Sequence, residues 1–294
     1  RVEAWYAKGE QPVVRVVCHS GRSLRVTPDH RVALADGSWK TAGVLTPHDE
    51  VRLDPPQFAA SEAVLSWSPG GQASVMMTVT PEVGLWLGYF MGDGSWYRDR
   101  YEVTCDGRDQ DVIDEVIKGI EYVFGHTPVC DRCTGSGQPA SGAVRVRIHS
   151  RWHREWLAGT GLIRRQSTTQ RAYRRVVHVP SVIWQSPREV VGMFLSGLFE
   201  ADGCSAGAQV RFSTRHEQFA YDVQLLLLGF GIPASVRPWK GTSRVGSPIH
   251  SAWYLTVSGL AVELFHDVIG FRGARKRAQR PTRAKKAANQ RPSH

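Results

Sequence analysis

The sequence predicts an α+β fold that runs one plan twice: helix–strand–strand–helix–strand–strand–helix. Three observations carry this. Two apolar stretches share a shape, Val83–Gly94 and Val191–Gly203, each with small residues on one side and each closing on an acid followed by glycine. The segment from Ala143 to His149 alternates strictly, with Val144, Val146 and Ile148 against Arg145, Arg147 and His149, which is the period of a half-buried strand. The order of elements that follows the first apolar stretch recurs after the second, and such internal duplication is strong evidence of architecture.

In the first stretch Gly84, Gly88 and Gly92 recur every fourth residue; in the second, Gly192 pairs with Ser196 and Gly197 with Ala201. Residues at this spacing share one side of a helix, and small ones let two backbones come very close. Two such helices packed along their small faces bring Asp93 and Asp202 side by side at one end. Paired carboxylates there can share hard divalent cations through oxygen ligands. Gly94 and Gly203 stand where a left-handed helix cap is expected.

After helix 81–93, residues 96–104 read as a strand. Residues 109–124 read as an amphipathic helix presenting Val112, Ile113, Val116, Ile117, Ile120 and Val123. A turn-rich stretch, 130–142, leads into strand 143–149; helix 150–159 and segment 171–180 complete the first half. In the second half, strand 209–214 places Gln209, Arg211 and Ser213 on one face. Helix 217–229, strands 234–240 and 252–258, and helix 260–269 follow. Ahead of both halves, residues 12–18, 23–26 and 31–35 read as short strands, with a turn at Asp36-Gly37. Residues 54–80, punctuated by Pro, Gly and Ser, read as a linker.

A chain of 294 residues with 41% hydrophobic content can bury a substantial core. Thirty-seven Lys and Arg against 27 acids give a formal +10, which suggests a polyanionic partner, nucleic acid ahead of an anionic membrane surface. Much of this excess is local, since residues 272–291 contain nine Lys and Arg and no acid. Five cysteines at irregular spacing point to a reducing cytosol, and no apolar run approaches a membrane span. Arg1 in place of Met reads as a trimmed or excised chain. No Ser/His/Asp or Cys/His arrangement suggests covalent catalysis, and nothing suggests a small-molecule substrate.

The segments Trp86-Leu87-Gly88-Tyr89-Phe90-Met91-Gly92-Asp93-Gly94 and Leu195-Ser196-Gly197-Leu198-Phe199-Glu200-Ala201-Asp202-Gly203 resemble the paired motifs of single-chain LAGLIDADG homing endonucleases. The first departs from the motif, with Met91 where its earlier acid would stand. The resemblance implies two saddle-shaped antiparallel sheets over double-stranded DNA and a monomer acting on an asymmetric site. It implies Asp93 and Asp202 as catalytic ligands of Mg²⁺, with Mn²⁺ as a substitute and the backbone carbonyls of Gly92 and Ala201 as further donors. Each carboxylate would serve one strand, leaving a staggered double-strand break. Lys276 fits the place of the family's basic catalytic residue in the second half. In the first half that place reads Val177-His178-Val179-Pro180, without the Lys, so Arg174, Arg175 or His178 would substitute or one strand would be cut less well, with nicking as the fallback. Arg98, Arg145, Arg147, Gln209, Arg211, Arg215, Arg237 and Lys240 are the candidate DNA contacts, because Arg and Gln suit bidentate contacts with purine edges. The basic run from Arg275 to Lys286 is expected to hold phosphates. A DNA-binding regulator or RNA-splicing maturase of the same fold is the alternative.

Thr27-Pro28-Asp29-His30 and the segment after it resemble the Thr-x-x-His block of intein splicing domains. Neither end of the chain carries the residues that splicing needs, so Thr27 and His30 read as a splicing-domain (Hint) remnant. The expected layout is therefore a Hint-like segment over 1–60, a linker over 61–80, nuclease halves over 81–186 and 187–280, and a basic tail over 281–294. A prokaryotic or phage cytoplasm, in association with DNA, is the expected setting. Cys130-x-x-Cys133, with His126 and Cys105 or His149, offers a zinc set; without a second spaced pair it reads as free thiols in a loop.

Overall fold

The computed structural model describes residues 9–68, 75–97, 100–132, 142–149, 151–165, 173–240 and 251–280. The N-terminal part forms two small hairpins, β1 (Val14–Val17) with β2 (Ser23–Val26) and β3 (Arg31–Ala33) with β4 (Trp39–Thr41). The Asp36-Gly37 turn joins the second pair. Gly37 is at φ +87°, and Asp36 Oδ1 accepts from the Ser38 amide at 2.9 Å. Residues 61–80, expected as a linker, contain a third hairpin, β5 (Val64–Trp67) with β6 (Val75–Thr78). Ala63, Leu65 and Val79 are buried there, so this stretch contributes to the core.

Helix α1 (Pro81–Asp93) opens on Thr80, whose side chain accepts from the Val83 amide, with Pro81 and Glu82 in the first turn. This is the chemistry of a helix start: a hydroxyl cap, a proline whose missing N–H costs nothing, and an acid at the positive end of the dipole. Strands β7 (Gly94–Tyr97) and β8 (Arg100–Asp106) follow, then α2 (Gln110–Phe124), β9 (Val129–Arg132), β10 (Ala143–His149) and α3 (Arg151–Gly159). A short pair, β11 (Ile163–Arg165) with β12 (Tyr173–Arg175), and α4 (Ser181–Trp184) lead to α5 (Arg188–Asp202). The second unit repeats the first: β13 (Gly203–Ala206), β14 (Gln209–Thr214), α6 (Glu217–Gly229), β15 (Ser235–Lys240), β16 (Ser251–Ser258) and α7 (Ala261–Val268). A single turn, α8 (Ala274–Arg277), ends the described chain.

Both four-stranded sheets are antiparallel and share one strand order, β7-β8-β10-β9 and β13-β14-β16-β15. The expected duplication is therefore present in topology. In each sheet the apolar faces turn toward the helices: Val144, Val146 and Ile148 are buried in β10, and Val210 and Phe212 in β14. The expected face of α2 is buried at Val112, Ile113, Val116, Ile120 and Val123 and extends to Phe124, with Ile117 packed at its margin. Trp86 anchors the first half. Its ring packs against Phe90, Phe124 and Trp156, and its indole N–H donates to Tyr101 OH at 3.0 Å, so a large apolar surface is buried with its polar atom satisfied. The turn-rich reading of 130–142 needs correction at its start, where Cys130 lies in β9 and its backbone pairs with β10.

The N-terminal part is packed onto both halves. The β1–β2 tip meets the second sheet: the Val236 amide donates to Ser20 O at 2.9 Å, and Gln224 Nε2 donates to Ser20 O at 3.1 Å and to Ala234 O at 2.7 Å. Gly21 sits at φ +87°, where a Cβ would lie 2.0 Å from Val236 O, so backbone meets backbone there. Trp67 of β5 packs edge-on against Trp152 of α3 at 5.8 Å, and Phe58 packs against Phe230 at 4.7 Å.

Candidate functional site

The site begins with the seam between α1 and α5. A Cβ built on Gly88 would lie 2.2 Å from Phe194 O and 2.7 Å from the Leu198 nitrogen; one on Gly197 would lie 2.4 Å from Leu85 O. Gly84 faces Val190 O at 2.7 Å by the same measure. These distances leave no room for side chains, so the two helices meet backbone to backbone, as the four-residue spacing implies. Gly192 and Ser196 are the exception. Gly192 looks toward the Phe230 ring, and Ser196 Oγ donates to Gly270 O at 3.2 Å, so both belong to the other side of α5. The helix carries two small-residue stripes, and only Gly197 and Ala201 make the seam.

At the far end of the seam, a Cβ on Gly92 would lie 2.3 Å from Ala201 Cβ and 3.6 Å from the Asp202 nitrogen. Asp93 and Asp202, the next residues, therefore leave adjacent helix C-termini, and both are exposed. Gly94 and Gly203 do not adopt the expected left-handed caps, since their φ values are −69° and −93°. The reason for glycine is space. Each amide still donates to the last turn, onto Phe90 O and Phe199 O, while the chain passes straight into a strand, and a Cβ would lie 2.4 and 2.5 Å from those oxygens.

Beside Asp93 lies a cavity of about 190 Å³ whose lining also includes Tyr89, Cys105, Glu200, Arg275 and Lys276. Lys276 Nζ donates to Gly203 O at 2.9 Å and to Glu200 O, and stands 3.6 Å from Glu200 Oε1. Its cation thus sits on the carbonyl end of α5, where the helix dipole favours positive charge. Sequence reasoning passed over Glu200. Its carboxylate is almost wholly buried and accepts from the Arg272 and Gly273 amides at 2.8 and 3.0 Å; burial pushes its pKa up, while Lys276 and the two amides oppose that. The available signal was a carboxylate set between Phe199 and Ala201 in an otherwise apolar run. Burial, and then the Asp93 charge, push the Cys105 thiol up to about 12, so it stays protonated beside the acids.

The expected phosphate-binding run needs a correction. Arg275 donates to Asp109 at 2.8 and 2.6 Å and reaches Asp106 at 3.3 Å; Arg272 forks onto Glu115, which also accepts from Tyr89 OH at 2.8 Å. These cations are held by acids of the first half, and the hydrogen bonds raise both guanidinium pKa values. Residues 281–286 of the run lie outside the described residues.

The polar sheet faces are as expected in direction and mixed in charge. Arg145 is exposed on β10, but Arg147 is ion-paired with Asp131 of β9 and stands opposite Glu102 of β8. In the second sheet Arg211 donates to Gln209 Oε1 at 2.7 Å, and Arg237 donates to His19 O at 3.2 Å, which ties it to the N-terminal hairpin. Arg215 is exposed just past β14. Arg98 lies outside the described residues, as do the side chains of Lys240, Arg174 and Arg175. His178, a candidate substitute for the missing Lys, has Nδ1 2.7 Å from Val176 O and contributes to the field at Asp222 of α6. His30 closes a turn with its amide on Thr27 O at 3.0 Å.

Among the described residues no group of three or more His, Cys, Asp or Glu could hold a metal, and Cys18, Cys105, Cys130 and Cys204 are free. Cys133 lies outside the described residues. The donor set at the seam is two carboxylates and nearby helix-terminal carbonyls, all hard oxygen. That chemistry fits Mg²⁺ or Mn²⁺ completed by oxygens of a bound partner, and does not fit a closed protein cage. No helix among the described residues is long and apolar enough to cross a membrane.

Residues 189–270 match the family described as LAGLIDADG-like domain. Among curated proteins, the chain is 28% identical over 290 residues to the replicative DNA helicase DnaB of Rhodothermus marinus, covering 95% of this chain and 28% of that protein. It is 25% identical over 275 residues to the replication factor C small subunit of Thermococcus kodakarensis, covering 92% and 27%. With a DNA gyrase polypeptide of Mycobacterium gordonae it shares 33% over 202 residues, covering 65% and 32%. The chain thus spans about 30% of the length of these relatives. Among solved structures, the homing endonuclease I-DmoI in complex with DNA and Mn matches at 15% identity and a TM-score of 0.45, covering 65% of this chain and 97% of that one. I-WcaI bound to its DNA recognition sequence matches at 10% identity and 0.46, covering 72% and 87%. The similarity to a LAGLIDADG-like domain thus falls on residues 189–270, within the second half of this mixed α/β chain.

Proposed function

We propose that this chain is a site-specific, divalent-metal-dependent DNA endonuclease that cuts both strands of a long asymmetric site, and that it is the endonuclease part of an intein. The observation that carries the reading is the seam: two glycine-faced helices meet backbone to backbone and deliver Asp93 and Asp202 to one end, flanked by two sheets of matching topology. Tandem halves on one chain favour a monomer. The intein reading has separate support. Nearly the whole chain aligns with a fraction of a helicase and of a small replication factor C protein, whose names describe different activities. A segment common to such proteins behaves as an inserted module, and Thr27 and His30 fit a splicing-domain remnant.

In this reading Asp93 and Asp202, with the Gly92 and Ala201 carbonyls, hold the cations. A bound Mg²⁺ or Mn²⁺ supplies Lewis acidity and an activated water for phosphodiester hydrolysis. The chain's own part is placement. The closeness of α1 and α5 sets the separation of the carboxylates, and Lys276 brings a cation to the α5 terminus. Arg145, Gln209 and Arg211 offer purine-edge contacts from the sheets.

Cleavage of a randomised DNA library in Mg²⁺ tests the reading, with Asp202→Asn as the comparison. The parent is expected to linearise one long site, and the variant to lose about 100-fold or more of that rate, the scale for removing one electrostatic element of a reaction centre. Tight, specific binding with no cutting in Mg²⁺ or Mn²⁺ would replace the enzyme with a DNA-binding protein of the same fold.

A further inference from the structure

We propose that Glu200 is a positioning residue for the second-half centre: it fixes the strap 271–277 so that Lys276 is held on the carbonyl end of α5, and the first half, with Met91 in that place, lacks the device. The proposal rests on the endonuclease reading for its catalytic meaning, and on geometry alone for the positioning.

The device joins Glu200, the strap and the acids of the first half. Glu200 receives the amides of Arg272 and Gly273, so its carboxylate ties down the strap's backbone at two consecutive residues. Gly273 has no side chain because a Cβ would lie 3.2 Å from Glu200 Oε1 and 2.9 Å from Val112 Cγ2. Three residues on, Lys276 turns back and places Nζ on Glu200 O and Gly203 O, on either side of Asp202 in sequence, with the cation 5.7 Å from the Phe271 ring centroid. The outer side of the strap is fastened to the first half: the Ala274 amide donates to Asp111 Oδ2 at 2.7 Å, Arg275 pairs with Asp109, and Arg272 with Glu115.

A lysine side chain has four rotatable bonds and loses much entropy when fixed, so a cation held within one contact distance needs its backbone already in place. A nearly buried carboxylate whose Oε2 takes two consecutive amides does this, while its Oε1, 3.6 Å from Lys276 Nζ, faces the amine that the strap delivers. In the first half both components differ together. Met91 is buried at the position of Glu200, and the segment 177–180 offers His178, which contributes to the field at Asp222. An acid and a lysine present together in one half, and missing together in the other, form one functional pair.

The test uses Glu200→Gln in the full chain and two readouts. The first needs neither metal nor DNA: the rate at which an amine-acylating reagent modifies Lys276, followed by mass spectrometry with Lys118 as the internal reference. Positioning predicts about a tenfold rise at Lys276 with Lys118 unchanged, the scale at which outer-shell partners act, and a return toward the parent rate in Glu200→Asp. No change at Lys276 overturns the proposal. If acylation rises at every lysine, Glu200→Gln has loosened the fold, and Glu200→Asp decides: a parent-like rate supports the proposal and an equally general rise overturns it. The second readout is strand-resolved cleavage. Glu200→Gln is expected to slow one strand about tenfold, the strand that Lys276→Met also slows, with no added loss in the double variant. Equal slowing of both strands overturns it. A parent chain that cuts nothing while the acylation result stands would remove the endonuclease reading and leave the positioning intact.

Discussion

The two motif helices enter the seam as equals and leave it differently. At Gly84, Gly88 and Gly197 the partner's backbone occupies the space that a side chain would need, and at Gly92 the Ala201 methyl does. Two residues before each acid the resemblance ends: α1 buries Met91, whereas α5 buries Glu200. Methionine needs only volume. A carboxylate with almost no exposure needs partners, and Glu200 has two amides and the Lys276 ammonium close by. The difference teaches that symmetry of fold and symmetry of chemistry are set separately: backbone approach fixes the first, while one buried position and the strap it organises fix the second.

Three experiments break or sharpen this comparison, beginning with the largest effect. Gly197→Val drives branched carbons into Leu85 O and should cost about 3 kcal/mol of folding stability, the upper range for overpacking. Its control is Gly192→Ala on the same helix, where a Cβ meets only the Phe230 ring at 3.5 Å. Removing a helical glycine there should gain roughly 0.5 kcal/mol. Equal destabilisation by both variants in denaturant melts would mean that both stripes serve the seam. Next, Met91→Glu copies the second half's acid into the first without its strap and should cost about 2 kcal/mol; a stable variant would show that the first half already holds partners for a carboxylate there.

A third effect separates the halves by pH. His153 of α3 is buried beside the Phe124 ring, and burial, then the neighbouring His126, hold its pKa down to about 4. The unfolded chain, with an ordinary histidine near 6.5, binds the proton first. Its contribution is therefore full above about pH 6.5 and is lost progressively as pH falls toward 4. A parent-minus-His153→Gln difference in Tm that stays flat across this window would refute the assignment.

Much of this protein was legible because periodicity is local information. The alternation of β10, the apolar face of α2 and the four-residue spacing of the seam glycines each reflect one element's own geometry, and each has its expected counterpart in the fold. Repetition of the motif then announced the duplication before any contact was known. The errors lie where local signals admit two answers. Gly94 and Gly203 look like left-handed caps, yet are glycine because the helix passes straight into a strand. Gly192 and Ser196 carry the same spacing as Gly197 and Ala201, and only packing tells one side of α5 from the other.

By itself, the sequence determined the repeated order of elements, the small-faced helices and the pair of terminal acids, all consequences of spacing along the chain. Tertiary structure alone decided the partners of charges. Arg275 was one cation in a basic run until Asp109, 166 positions away, came within hydrogen-bond distance, and Arg147 was a free groove contact until Asp131 arrived from the neighbouring strand. Glu200 was an acid in an apolar helix until the strap folded over it. Charge pairing depends on distance in space, which no spacing in the chain encodes.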